Sequence, residues 1–588
     1  MISYILIFLS SISFLSSTNN KKIEKKIYSV IFTSALFSYS ILGLVSLILI
    51  NLDRSRFPLI IISSLIFLST IFFNKESFQA YAKIKKFLLS EFNKFKNNFS
   101  DLNQKKSTTL ICILLLLITL SSIGPINHPD ALDYHVGYPY QYWLRGNFFI
   151  DGGMHQALMG AGDYANLAFI QGKVIWLIRY IQISNLPLIC LFFINNIKNK
   201  KFIIAFLSIL TFIQWSTIGK PLFLSESSCA IAYIIWKEYK DHLSRRLLLI
   251  CITCCISIKI SSLIVCTPIL IHIVFDIISN NQNNLRKKFF IFKEIVLDKS
   301  ILLSLLLLFT ILYSRFIITG NFAFPLLTNI FNKNDILIRN FAEFLSGYRR
   351  DGLFPLNIFL PISFNNLASS LGPGIFLILL LQIFESFKNN NKKRNFLFYI
   401  SMSQIILLIF FCQGRADYYV LPIILAVYSS DNLNQFYKNK FLKFSLNLSI
   451  FFQFILIFCF LLFSIKQNIF SILDYEKTMI STSYGFDFSR LIKTKSSGNF
   501  YQNVIRDSRL FYPSNYISRE MMQRCTQNSS QNYCFKKYDI SQIMTAPNFV
   551  IDKTNYNCHK KEFVSGSRNP LNRKKGQVEI CEKISLSK

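Results

Sequence analysis

Charge is scarce in this chain. Only 16% of its 588 residues are Asp, Glu, Lys or Arg, while 52% are hydrophobic. Soluble domains rarely combine those two figures. Acidic residues are the scarcer sign, 31 against 64 basic ones. Such a surplus can mark a nucleic-acid binder. Here the lysines stand in short clusters between apolar runs, as topology signals do, and that excludes nucleic acid as the partner. No internal repeat is present, which disfavours the paired-repeat architecture of a transporter. The first apolar stretch, 2–17, lacks the small-residue cleavage site of a signal peptide. Its charges, Lys21, Lys22, Lys25 and Lys26, follow the apolar run instead of preceding it.

The apolar runs read as an all-α polytopic membrane protein of about fourteen helices. The spans fall near 2–17, 28–50, 57–73, 108–124, 180–196, 202–218, 222–236, a short hairpin in 247–279, 300–318, 372–387, 396–412, 418–430 and 443–465. This count places every large Lys/Arg cluster between spans on one side and both termini on the other. Between the third and fourth spans, Lys83, Lys85, Lys86, Lys94 and Lys96 alternate with Phe and Leu. That stretch reads as amphipathic and lies on the inner leaflet. Three parts follow: extra spans and the basic stretch in 1–107, a transmembrane domain in 108–466 with outer loops 125–180 and 319–371, and an extracytoplasmic domain in 467–588. Most of the 13 cysteines lie in or beside apolar runs. The four in the tail, Cys525, Cys534, Cys558 and Cys581, match no zinc spacing and suggest two disulfides of open connectivity.

Titratable groups gather just after the fourth span. His128-Pro129-Asp130-Ala131-Leu132-Asp133-Tyr134-His135 holds two carboxylates and two imidazoles, and His155, Asp151 and Asp163 follow in the same loop. Ionisable residues collected beside spanning helices mark binding or chemistry. Asp130 after Pro129 suits a helix N-cap with Asp133 in the first turn. It equally suits a general base that takes a proton from an acceptor hydroxyl. A third reading makes His128, Asp130, Asp133 and His135 ligands of a divalent metal. The cations on the outer side stand against the topology rule: Arg145 in the loop, Lys220 after the sixth span, Lys259 at the hairpin tip, Arg315 and Arg415. Each can snorkel to outer headgroups. As a set they suit a lipid phosphate. The second outer loop adds Thr319-Gly320-Asn321-Phe322-Ala323-Phe324-Pro325 and Tyr348-Arg349-Arg350-Asp351-Gly352, turn signals with aromatics that form an interfacial belt or stack on sugars.

These stretches resemble the C-type (GT-C fold) membrane glycosyltransferases, the superfamily of protein mannosyltransferases and lipid A aminoarabinose transferases. Members have many spans, some very short. Their first outer loop begins with an Asp, often Asp-Glu, and a Tyr four residues later. Asp130 and Tyr134 match that spacing, with Ala131 in place of the Glu. Tyr134-His135 and Pro139 are similar to a bacterial subgroup with an Asp-x-x-x-Tyr-His start. Ile258-Lys259, Thr319 to Pro325, and Gln413-Gly414-Arg415 before Tyr418 and Pro422 are similar in order and placement. The resemblance covers roughly 108–430 and leaves both ends unexplained. It implies transfer of a sugar from a polyprenyl-phosphate donor to a glycan, lipid or protein acceptor at the outer face of a bacterial inner membrane. Asp130 would be the base and Asp133 its support. Tyr134, His135, Arg145, Lys220, Lys259, Arg315 and Arg415 would bind substrate. A divalent metal is the only cofactor in view. An O-antigen polymerase or ligase, or a lipid-linked saccharide transporter, is the alternative.

The charge pattern predicts the topology. Reporter fusions after Lys106, Arg246 and Lys393 are expected to read cytoplasm, and fusions after Pro325 and Lys466 to read outside. A cytoplasmic signal from the last would overturn the span count.

Overall fold

A computed structural model of the chain describes residues 1–16, 26–74, 76–100, 102–150, 155–279, 297–332, 335, 338–341, 343, 353–362, 369–388, 392–411, 415–431, 433, 439–492, 498–547, 555–567 and 573–584. The sequence features at Lys21, Lys22, Lys25, Asp151, Tyr348 to Gly352, Gln413 and Gly414 lie outside these residues.

Helices dominate, and six among the described residues are long and apolar enough to cross a membrane. They are Lys26–Asn51, Gln104–Ser122, Ile175–Asn196, Ser262–Ser279, Lys299–Thr319 and Lys440–Leu473. Shorter apolar helices include Ile2–Ser16, Pro373–Ser386, Phe396–Phe411 and Val420–Ser429. Lys26–Asn51 is the most enclosed, packed against Ile2–Ser16, Leu222–Tyr239 and His242–Ile258. Its Ser29, Ser34, Ser38, Ser40 and Ser46 are buried. Small residues at that spacing let neighbouring helices approach closely where hydrophobicity alone gives no drive to pack. At Gly43 a Cβ would sit 2.0 Å from the Ala161 carbonyl oxygen, so glycine is what lets the segment around Ala161 press onto this helix.

Several boundaries differ from those expected. The run 202–218 is broken into Lys200–Leu207 and Phe212–Thr217. The break is stable because neighbours satisfy it. Thr211 donates its N–H and its hydroxyl to the Ser370 carbonyl, at 3.1 and 2.9 Å, and Gln453 Nε2 donates to the Ala205 carbonyl at 3.0 Å. Lys440–Leu473 continues past residue 466, so the tail begins at Asp474. The basic helix Ser77–Ser100 bends away from Leu59–Phe73 by 100°. It buries Phe87 and Glu91 and leaves Phe78, Lys85, Lys86, Leu89 and Phe92 exposed. The loop 125–180 is a chain of short turns, among them Ala131–His135, Gly137–Arg145 and Ala161–Ala165.

The all-α reading stops at the tail. Five strands form one sheet: β1 Asn499–Gln502, β2 Tyr516–Ile517, β3 Ile540–Thr545, β4 Tyr556–Ser565 and β5 Lys574–Lys583, in the order β2-β1-β3-β5-β4. β1 runs parallel to β2 and β3, while β5 lies antiparallel between β3 and β4. Phe500, Tyr516, Met544, Phe563 and Ile580 form one core beneath the sheet. Met522, Phe535, Ile540 and Ile543 form a second, against Arg519–Asn528 and Gln531–Lys537.

Cys525 and Cys534 join those two short helices, and Cys558 and Cys581 are cross-strand neighbours on β4 and β5. Peptide mapping without reductant is therefore expected to recover 525–534 and 558–581 linked peptides. Either of the other two connectivities would contradict the sheet register.

Candidate functional site

The stretch from His128 folds as one wide turn. Leu132 donates its N–H to the His128 carbonyl and Val136 to the Ala131 carbonyl, the second closing a five-residue, π-helical step. Gly137 ends it. A Cβ there would lie 2.2 Å from the Leu132 carbonyl oxygen and 3.0 Å from Cβ of Arg509, so no other residue fits. Asp130 precedes this turn and makes no side-chain cap hydrogen bond. The N-cap reading of Asp130 therefore fails.

Asp130 instead meets two guanidiniums. Arg506 Nη1 is 2.7 Å from Oδ1 and Arg415 Nη1 is 3.6 Å from Oδ2. Burial by itself would raise its pKa, but Arg506, His128 and Arg415 outweigh burial and hold the carboxyl well below the ordinary range. Asp133 is only 1% exposed. It pairs with Arg509 and with Arg506, whose Nε is 3.3 Å away. His155 Nδ1 approaches the same carboxylate at 3.1 Å, and Arg506 Nη2 lies 3.4 Å from His155 Nε2. Burial pushes His155 down to about 4 against the pull of Asp133. The imidazole is therefore neutral, donating from Nδ1 and accepting at Nε2. Burial likewise takes His128 to about 4.

Arg506 and Arg509 belong to the C-terminal domain. Sequence reading missed both, because cations in a polar tail look like solvated charges. They are docked by further contacts. Gln141 Nε2 donates to the Arg509 and Tyr512 carbonyls at 2.8 and 2.9 Å, and the Arg509 guanidinium lies 4.3 Å over the Tyr138 ring. Arg509 also reaches Asp507 at 3.0 Å.

The cations expected to bind substrate divide sharply. Arg145 donates to the Tyr516 carbonyl at 2.8 Å and stacks on Phe149, so it holds the C-terminal domain. Arg315 donates to the carbonyls of Phe324, Leu158 and Met159 and is 1% exposed, which makes it a latch between the loops 125–180 and 319–371. Lys220 is paired with Asp417 at 2.8 Å and lies over the Tyr418 ring. Arg415 shares that Asp417 at 3.2 Å. Burial would raise Asp417, yet Arg415 and Lys220 bring it to about 2. Lys259 differs from all of these. It has no carboxylate partner among the described residues, only the Leu158 carbonyl at 3.4 Å and the Tyr134 ring at 5.1 Å. Burial lowers it to about 8 against the attraction of Asp163.

Tyr134 lies over His155, with centroids 5.5 Å apart and planes 10° from parallel, and its ring centre is 4.0 Å from that of His135. His135 Nδ1 is 2.6 Å from Asp163 Oδ1. The set His128, Asp130, Asp133 and His135 does not converge. Asp130 and Asp133 face arginines, and His135 faces Asp163. Among the described residues no group of three His, Cys, Asp or Glu is placed to hold a metal. Guanidiniums at both carboxylates repel a divalent cation, so the ligand reading of these four is withdrawn.

A buried carboxylate whose partner is removed is costly. Arg509→Met is expected to destabilise docking of the C-terminal domain by roughly 3–5 kcal/mol. Adding Asp133→Asn should recover part of the loss, because the orphaned charge goes with it. Thermal unfolding of the two variants in nanodiscs, with proteolytic release of the tail as a second readout, measures this. Equal stability of Arg509→Met and the unaltered chain would contradict the pairing.

No protein-family model and no curated protein matches the sequence.

Proposed function

We propose that the protein transfers a sugar from a polyprenyl-phosphate carrier to an acceptor at the outer face of a bacterial inner membrane, in the manner of the C-type glycosyltransferases. In this reading the chain has about fourteen spans and both termini lie outside. One observation carries it. Asp130 caps nothing and is held between two guanidiniums where the membrane helices meet the outer domain, and over the ring of Tyr134, four residues on, lies Lys259, which has no carboxylate partner among the described residues. An ionised carboxylate suits the positive charge that develops on the anomeric carbon as the glycosyl–phosphate bond breaks. An unpaired ammonium suits the phosphate that departs with the bonding electrons. Arg415 and Arg506 can turn from Asp130 to the same phosphate, since each still faces an acid without it. Arg415 keeps Asp417, and Arg506 keeps Asp133. The base role for Asp130 fits the geometry poorly. Two guanidiniums make it a weak proton acceptor, whereas a base works best with a pKa near the working pH. Its contribution is charge.

The test is a transfer assay on purified protein in nanodiscs with polyprenyl-phosphate sugars. Asp130→Asn preserves shape and removes charge. The expected loss in kcat is about 10²-fold or more, the size seen when one electrostatic stabiliser is removed. Lys259→Ala is expected to raise the KM for donor more than it lowers kcat. Full activity of Asp130→Asn would leave Asp130 without a catalytic role. Mass spectrometry of surface glycans after gene deletion identifies the acceptor.

A further inference from the structure

The geometry points to the buried pair His135–Asp163 as the group that takes the proton from the acceptor hydroxyl. This rests on the sugar-transfer reading above and adds the base that Asp130 does not supply.

The chemistry follows from what each atom already bonds. Asp163 Oδ2 accepts the N–H of Gly160 at 2.9 Å, which fixes the carboxylate at the start of Ala161–Ala165. Its Oδ1 faces His135 Nδ1 at 2.6 Å. An ionised carboxylate only accepts, so Nδ1 carries the imidazole proton and Nε2 presents its lone pair. The ring cannot readily turn. Asn166 Nδ2 donates to the His135 carbonyl at 2.7 Å, and Tyr134 packs against the imidazole. Both side chains of the pair are fully buried. Yet His135 Nε2 has no hydrogen-bond partner among the described residues. A buried, oriented and unpaired acceptor is costly and calls for an explanation. A hydroxyl that arrives only with substrate provides one.

Placement agrees. In a π-helical turn, residues four and five apart lie on one face, which groups Asp130, Tyr134 and His135. Lys259 stands over the Tyr134 ring on that side. The charged groups that act on His135 are Asp163, Lys259 and Asp130, and burial lowers the imidazole's pKa against the pull of Asp163. His135 is fully buried and Tyr134 beside it only 6% exposed, so an acceptor reaches Nε2 only when this face opens. The step balances as follows. The acceptor oxygen bonds to the anomeric carbon, and the carbon–oxygen bond to phosphate breaks with its electron pair leaving on the polyprenyl phosphate. The hydroxyl proton passes to Nε2. The imidazolium so formed is stabilised by Asp163 and then releases the proton to water.

Diethyl pyrocarbonate, which acylates a neutral imidazole nitrogen, is the probe, applied to full-length protein in nanodiscs and read by peptide mass spectrometry. His135 is expected to label, at a rate that no longer rises with pH above about 6.5, the ordinary imidazole value. Asp163→Asn lets the amide donate to Nδ1, which moves the proton to Nε2. Labelling should then fall about tenfold, and transfer by about 10²-fold or more with donor KM unchanged. His135→Gln should lose transfer to a similar extent while added polyprenyl phosphate still raises the melting temperature. If His135 stays unlabelled in the unaltered protein while His155 labels, or if Asp163→Asn transfers sugar at the full rate, the proposal is wrong. Strong labelling of His135 in a protein that transfers no sugar from any donor would sink the sugar-transfer reading and leave the dyad a base for another reaction.

Discussion

The contact between Arg509 and Asp133 joins the C-terminal domain to the loop that follows Gln104–Ser122. Both side chains are 1% exposed, and they stand 376 residues apart in the chain. Taking two charges out of water costs several kcal/mol per ion, so the pair persists only because other groups complete it. Asp507 neutralises the other side of Arg509, Tyr138 lies under its guanidinium, and Gln141 fixes its backbone. Gly137 leaves the room that Arg509 Cβ needs. With Arg509 in place, Arg506 falls between Asp130 and Asp133. The C-terminal domain is thus a wall of the site. Without it, Asp130 would keep only Arg415, and Asp133 would keep only a neutral imidazole.

Four of the cations expected on the outer side show how a buried positive charge is accommodated by local polar atoms. Arg315 spends its guanidinium on three carbonyls, and Arg145 on one carbonyl and a ring. Lys220 and Arg415 share Asp417. Each is held by local polar atoms, as buried charges must be. Lys259 alone is left with one long carbonyl contact and a ring, so it is the cation with most to gain from an anion.

Much of the site was legible in the sequence, because its titratable groups are contiguous from His128 to His135 and sit beside an apolar run. The face shared by Asp130, Tyr134 and His135 depends on the π-helical turn, which their spacing alone does not announce. Asp163 was visible as a loop carboxylate, but its pairing with His135 depends on a close approach to Gly43 that no local pattern encodes. Arg506 and Arg509 were hidden for a different reason. Their segment joins strands of four and two residues, too short to show a period. The broken run 202–218 was hidden because hydropathy reports apolarity alone. It cannot see that Ser370 and Gln453 supply the hydrogen bonds that let a helix stop inside a membrane bundle.

One acid inside the bundle links the two helices that begin just after Lys259 and Arg415. Glu226, on the helix Leu222–Tyr239, is 1% exposed and has no cation bonded to it among the described residues. It accepts the Leu421 N–H at 3.3 Å and the Ser262 hydroxyl at 3.1 Å. Those groups open the first turns of Val420–Ser429 and Ser262–Ser279. Through these two bonds one buried side chain joins the starts of both helices. Each of these helices begins within a few residues of a site cation, Arg415 before one and Lys259 before the other. A single buried acid thereby ties two otherwise separate loops together. The scaffold thus joins, from within the bundle, the helix that follows Arg415 to the helix that follows Lys259.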